Sequence, residues 1–176
     1  MTQGMSTQEM MELALEMAGF DETPPDSAIY VPGEGIRRIL FGIDVETPEL
    51  HIAQQLGYDA AIAHHPTGCL PASWPVFMRH VDQMVAAGVP EPVAREVAEE
   101  MATRLRRIDM LANYDHVPSV ARLLGMPYMN IHSPLDEIGR QRIQAEIDAC
   151  CGANPDVTLQ GVIDCLMAMP EYQAAL

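Results

Sequence analysis

The chain has 176 residues, of which 48% are hydrophobic, enough for one domain with a substantial core. Its 25 acidic residues and 10 basic residues, all of them arginine, give a formal net charge of −15. This charge repels the phosphates of nucleic acids and membranes, and the lack of lysine excludes Schiff-base catalysis and the Walker phosphate loop. We therefore expect no nucleic-acid partner and no membrane partner.

The first predicted element is a helix that begins after Ser6 or Thr7 and stops at Gly19. A connection rich in proline and aspartate, residues 21–35, follows it. The next segment, "RRILFGID", has the apolar run of a buried strand that ends at Asp44. The apolar residues that recur at helical spacing in the first helix are Met10, Leu13, Ala14 and Met17.

Residues 37–65 predict a β-α-β unit. The segment "ETPELHIAQQLGYD" has Thr47 as a helix cap and Gly57 just past the helix end, and "AAIA" follows as a second strand. Strands joined in this way are parallel. Asp44 and the histidine pair that follows "AAIA" should therefore lie at the same edge of the sheet.

Residues 73–125 predict a helical insertion. A third strand, from Tyr128 to Ile131, then ends in His132 and enters a helix with Ser133 as its candidate cap and Pro134 as its first residue. A polar turn and a last helix from about Thr158 complete the chain. The longest helix of the insertion has an apolar stripe formed by Val93, Val97, Met101 and Leu105.

Each predicted strand thus ends in a potential metal ligand: Asp44, the pair His64 and His65, and His132. In open parallel sheets, ligands gather outside the carboxyl ends of the strands. Simpler explanations exist for each residue taken alone. His64 and His65 could be turn residues, and His132 could be a hydrogen-bonded core histidine.

Asp136 also has a simpler explanation, because "SPLD" is a capping-box pattern in which Ser133 caps the helix. The joint occurrence of His132 and Asp136 directly after a strand favours a site. We interpret His64, His65 and Asp136 as candidate metal ligands and His132 as a candidate catalytic residue.

The four cysteines, Cys69, Cys150, Cys151 and Cys165, contain no pair with the spacing of a zinc knuckle or a thioredoxin motif. Neighbouring cysteines can form a disulfide only with strain, so we expect reduced thiols. Cys69 follows His65 by four residues, but no other feature indicates a cysteine nucleophile. With no signal peptide in the sequence, we expect a cytoplasmic location.

Two segments, "LFGIDVETPELHIAQQLGYDAAIAHHPTG" and "MPYMNIHSPLDEIG", resemble the NIF-three-like family of dinuclear metal proteins, which includes proteins named type 2 GTP cyclohydrolase I. The resemblance covers residues 37–68 and 111–140 well. It implies a NIF-three-like α/β fold, with a partly parallel sheet flanked by helices and a helical insertion at about residues 73–125.

By position, the resemblance implies that His64, His65 and Asp136 bind two divalent ions and that His132 lies beside them. Zinc, iron, manganese, nickel or cobalt would suit these ligands. It also implies a homo-oligomer, a hexamer in the family. Relatives complete the site with a histidine and an acid near their C-terminus, so we expect this chain, as one domain of residues 1–176, to lack their C-terminal lobe.

The function that follows is metal-dependent hydrolysis of a small molecule, such as a cyclohydrolase or phosphoester reaction, with a metal-activated water. The alternative is a metal-binding scaffold or regulatory interaction protein without enzymatic activity.

Overall fold

The structure is a computed structural model that describes residues 4–67, 73–152, 154 and 156–174. Cys69 lies outside these residues. The chain divides into two compact units, with the boundary between Pro134 and Leu135. No helix in the described ranges combines the length and the apolar character needed to cross a membrane.

The first unit contains most of the secondary structure. Its elements, in chain order, are α1 (Thr7–Ala18), β1 (Ala28–Val31), β2 (Ile39–Gly42), α2 (Thr47–Gln55), β3 (Ala60–Ala63), α3 (Ser73–Phe77), α4 (Arg79–Ala86), α5 (Glu91–Asp109), α6 (His116–Leu124) and β4 (Tyr128–Asn130). Helix α7 (Ser133–Cys151) begins in the first unit and continues into the second, which also holds α8 (Leu159–Met167) and α9 (Pro170–Gln173).

The described strands form one sheet with the order β1-β4-β3-β2. Strands β2, β3 and β4 are parallel, whereas β1 is antiparallel to β4. The partly parallel α/β sheet predicted from the sequence is confirmed, as is the parallel β-α-β unit. The last residues of the three parallel strands are in register, because Gly42 pairs with Ala63 and Ala63 pairs with Asn130.

Strand β3 lies between two neighbours and is buried along its whole length. Three of its four residues are alanines, so helices can lie close to the sheet. Side chains of α2 and α6 cover one face of it. The buried cluster there consists of Val45, Leu50, Ala53, Ala61, Ala63, Val117, Ala121, Met126 and Tyr128.

Two predictions for the N-terminal part of the sheet are wrong. The segment 21–35 is more than a connection, because it contains β1. Strand β2 is not a buried strand: it lies at the edge of the sheet, and Phe41 is 58% exposed. A short apolar run is found both in central strands and in edge strands, so the sequence pattern alone does not show that β2 is partly exposed.

The predicted apolar stripe of α5 is also wrong. Its buried apolar residues are the alanines Ala94, Ala98 and Ala102, whereas Val93, Val97 and Met101 are exposed. Ala94 and Ala98 pack in one cluster with Val81 of α4. Small side chains allow the helices to approach closely, so the face with the smaller apolar residues is the buried one. In α1, Met10 and Ala14 of the predicted stripe are buried, together with Met11 and Ala18, whereas Leu13 and Met17 are exposed.

We expect Ala98→Leu to destabilise the protein by about 2 kcal/mol, because added methylene groups cannot fit between α5 and its neighbours. Val97→Leu, at the next position of the same helix, is the matched control because Val97 is exposed, and it should change the free energy of unfolding by less than about 0.5 kcal/mol. Urea unfolding of both variants measures the difference. Equal effects at the two positions would contradict the packing described here.

Candidate metal centre

The ends of β2 and β3 fix the backbone of the histidine pair. The amide of His64 donates a hydrogen bond to the carbonyl oxygen of Gly42 (2.8 Å), and the amide of His65 donates to that of Ile43 (2.9 Å). The ladder of the parallel strands therefore continues through both histidines. They belong to the rigid edge of the sheet rather than to a free turn.

His132 reaches the same edge from β4. The amide of Ile131 donates to the carbonyl oxygen of Ala63 (3.0 Å), which extends the pairing of β4 with β3. The amide of His132 then donates to Ser27 Oγ (2.9 Å), just before β1. The backbone of His132 is thus held from both of the strands that flank β4.

The three imidazole rings lie together. The ring centroid of His64 lies 5.0 Å from that of His65 and 4.8 Å from that of His132. The ring centroids of His65 and His132 are 5.7 Å apart. One potential ligand nitrogen from each ring lies within 4.8 Å of the other two. The convergence predicted from the strand ends is therefore present for the three histidines.

The Nδ1 atom of each ring has an oxygen acceptor. His64 Nδ1 donates to the carbonyl oxygen of Ile131 (3.1 Å), and His65 Nδ1 donates to Asp44 Oδ1 (2.8 Å). His132 Nδ1 donates to Asp26 Oδ2 (2.7 Å). A proton fixed on Nδ1 makes Nε2 the basic nitrogen of a neutral ring, and metal-binding histidines are usually oriented by such an acceptor.

Asp26 is the most strongly held of these acceptors. Its side chain is 2% exposed and also accepts a hydrogen bond from Ser133 Oγ (2.6 Å). Burial opposes ionisation, but the hydrogen bonds from His132 and Ser133, together with the charge of His132, lower the pKa of Asp26 below its ordinary value. The carboxylate is therefore ionised at neutral pH and accepts the Nδ1–H hydrogen bond of His132.

Asn130, the last residue of β4, ties this arrangement to the sheet. Its fully buried side chain donates from Nδ2 to the carbonyl oxygen of Asp26 (2.7 Å) and to that of His64 (3.4 Å). Its Oδ1 accepts from the hydroxyl of Tyr30 (2.7 Å) and the amide of Ala28 (3.2 Å). One amide side chain thus joins the segment before β1 to the residue that follows β3.

Tyr128, the first residue of β4, holds the chain segments on either side of the histidines. Its hydroxyl donates to the carbonyl oxygen of Val45 (3.1 Å) and forms a hydrogen bond with Thr67 Oγ1. Burial raises the pKa of Tyr128 to about 12. The hydroxyl therefore stays protonated and acts as a structural hydrogen-bonding group.

The other predicted site residues occupy different settings. Asp44, predicted as a potential ligand at the end of its strand, is 71% exposed and contacts His65. Asp136 lies in the first turn of α7 and in the second unit, beyond the boundary of the unit that contains the three histidines. Its role as a metal ligand remains a prediction.

Sequence reasoning missed Asp26 and Asn130. Asp26 belongs to "PDSAIYV", and the apolar run after it could have indicated β1. Its closeness to His132 depends on the antiparallel direction of β1, which brings the start of this strand to the edge where the parallel strands end. No pattern in the sequence indicates that direction.

A crystal structure of a NIF3 superfamily protein from Sphaerobacter thermophilus is similar to the fold of this chain, with a TM-score of 0.93 and 43% sequence identity. The match covers 98% of this chain. This chain has the NIF3 superfamily fold. The predicted resemblance is confirmed. The chain spans 64% of the length of the matched protein. No protein-family model and no curated protein matches the sequence.

This chain holds a buried carboxylate at Asp26 and an exposed one at Asp44. We expect Asp26→Ala to lower the free energy of unfolding by about 3 kcal/mol, because it leaves the Nδ1–H group of His132 and the hydroxyl of Ser133 without their buried acceptor. Asp44→Ala is the matched control, since it also removes the acceptor of a histidine, but at the surface, where such pairs contribute little. Urea unfolding of both variants in chelator-treated buffer measures the two effects. If Asp26→Ala lowered the free energy of unfolding by less than Asp44→Ala does, Asp26 would not be the more strongly stabilising of the two histidine partners.

Proposed function

We propose that this protein binds two divalent metal ions at the edge of its sheet and uses them to hydrolyse a small phosphoester or cyclic nucleotide-like substrate. The observation that carries the proposal is the group of three imidazoles whose Nδ1 atoms each have an oxygen acceptor. The NIF3 fold supports it by resemblance to dinuclear metal proteins.

The donor set fits divalent ions that accept imidazole and carboxylate. Zinc, iron, nickel and cobalt suit imidazole, and carboxylate ligands extend the range to manganese. We assign His64 and His65 as ligands, and we include Asp136 because of the family resemblance. Bound ions of this kind would lower the pKa of a water molecule toward ~7 and polarise a substrate oxygen.

His132 is the residue that we assign to proton transfer. The Asp26 carboxylate orients the His132 ring through Nδ1 and stabilises the positive charge that forms when Nε2 takes up a proton. His132 is 28% exposed, so its ring is accessible from solvent while its partner is buried. This combination of a fixed ring and a buried carboxylate suits a general base.

The chain carries few positive charges that could hold an anionic substrate, with 10 arginines against 25 acidic residues. The ions themselves would supply the positive charge that attracts a phosphate or triphosphate group. We also propose that the protein forms a homo-oligomer, a hexamer by resemblance to the family, and that it is located in the cytoplasm.

The first test is metal binding. We expect wild-type protein equilibrated with zinc to hold more metal per chain than His64→Ala or His65→Ala, and each substitution should weaken binding at least about tenfold, because each removes a ligand. His51→Ala is the matched control, since His51 lies on the exposed surface of α2. Elemental analysis after dialysis and titration calorimetry provide the measurements.

Metal content that is equal in the wild type and in His64→Ala and His65→Ala would refute the metal centre. The same measurements on Asp136→Ala test the ligand that rests on resemblance alone. If this variant retains the metal affinity of the wild type, Asp136 is not a ligand.

The second test is catalysis. We expect metal-loaded protein to hydrolyse a chromogenic phosphodiester or GTP, and His132→Gln to lower kcat about 100-fold with a smaller effect on metal affinity, because it removes a proton acceptor. Steady-state kinetics and metal titration on the same samples separate the two effects. Metal binding without turnover of any such substrate would instead support the non-enzymatic scaffold.

A further inference from the structure

The second unit contains a cluster of thiols. Cys150 and Cys151 end helix α7, and Cys165 lies in α8. The three sulfur atoms lie within 4.8 Å of one another, and all three residues are free cysteines. This cluster uses residues different from those of the histidine site and takes no part in the function proposed above.

Helices α7 and α8 position the cluster. Thr158 caps α8, since its hydroxyl accepts a hydrogen bond from the amide of Gly161 (3.1 Å). Cys165 Sγ donates to the carbonyl oxygen of Glu146 in α7 (3.6 Å), one turn before Cys150. The sulfur of α8 is thereby fixed beside the last turn of α7.

The three thiols differ in exposure. Cys151 and Cys165 are buried, whereas Cys150 is exposed. A small ion could therefore reach the cluster from the side of Cys150, while the other two sulfur atoms form the inner part of the site.

A soft cation can replace the thiol protons of such a cluster, because its positive charge offsets the mutual repulsion of neighbouring thiolates.

We propose that Cys150, Cys151 and Cys165 form a second metal site, selective for a thiophilic d¹⁰ cation, either Zn²⁺ or Cu⁺. Thiolate ligands select these ions, in contrast to the imidazole and carboxylate groups of the first site. On binding, three metal–sulfur bonds form and each thiol releases its proton to solvent, with no change of oxidation state.

The spacing of the sulfur atoms agrees with this assignment. With zinc–sulfur bonds of about 2.3 Å, ligands on a tetrahedral ion lie about 3.8 Å apart, a separation that falls within the 4.8 Å limit of the cluster. A disulfide explains the cluster less well. Cys150 and Cys151 could bond to each other only with strain, and a bond from either to Cys165 would leave one thiol without a role.

The test is a Cd²⁺ titration of the full, reduced chain without oxygen, since cadmium bound to thiolates gives an ultraviolet charge-transfer band that imidazole ligands do not give. We expect the band to saturate at one equivalent in the wild type and in His64→Ala. We expect it to be lost, or the affinity to fall at least about 100-fold, in Cys165→Ser and Cys150→Ser. Cys69→Ser, the matched control, should behave like the wild type.

Cys165 is buried, so circular dichroism must show that Cys165→Ser remains folded. If it unfolds, the exposed Cys150→Ser decides. A missing band in the wild type, a band of full affinity in folded Cys150→Ser, or a band lost in Cys69→Ser would overturn the proposal. Separate titrations with Zn²⁺ and with Cu⁺, followed by dialysis and elemental analysis, then separate the two ions, because the cognate cation should be held at one equivalent more in the wild type than in Cys150→Ser. An equal content of both ions in the two proteins would also overturn the proposal.

Discussion

The buried carboxylate of Asp26 is the interaction on which the candidate metal centre depends most. It accepts hydrogen bonds from the side chains of His132 and Ser133, at the point where β4 gives way to α7. Its own carbonyl oxygen is held by Asn130. A single residue before β1 thus fixes the orientation of an imidazole and the start of a helix, and the desolvation of its charge is offset only while both donors are present.

The parallel strands supply the second constraint. Gly42, Ala63 and Asn130 pair in register, so the residues that follow these three strand ends lie at the same edge of the sheet. The hydrogen-bonded ladder extends beyond the strands into His64 and His65. Backbone hydrogen bonds therefore hold the residues that carry these two rings, and little conformational entropy would be lost there on binding of a cation.

Much of this arrangement could be predicted from the sequence, since apolar runs that end in Asp44, in the histidine pair and in His132 indicate both the strands and their common edge. Asp26 could not be predicted, because its position depends on the direction of β1, which is decided by pairing with β4. The buried alanine face of α5 could not be predicted either. Hydrophobicity ranks valine and methionine above alanine, whereas close packing of helices favours the smaller residue.

The alanines of β3 connect the core of the protein to the candidate metal centre. Ala63 has no exposed surface, packs against α2 and α6, and directly precedes His64. Any increase in volume there would push the end of the strand away from its helices and carry the imidazole with it. A larger side chain at position 63 would therefore change the packing of the core and, at the same time, the position of the His64 ring.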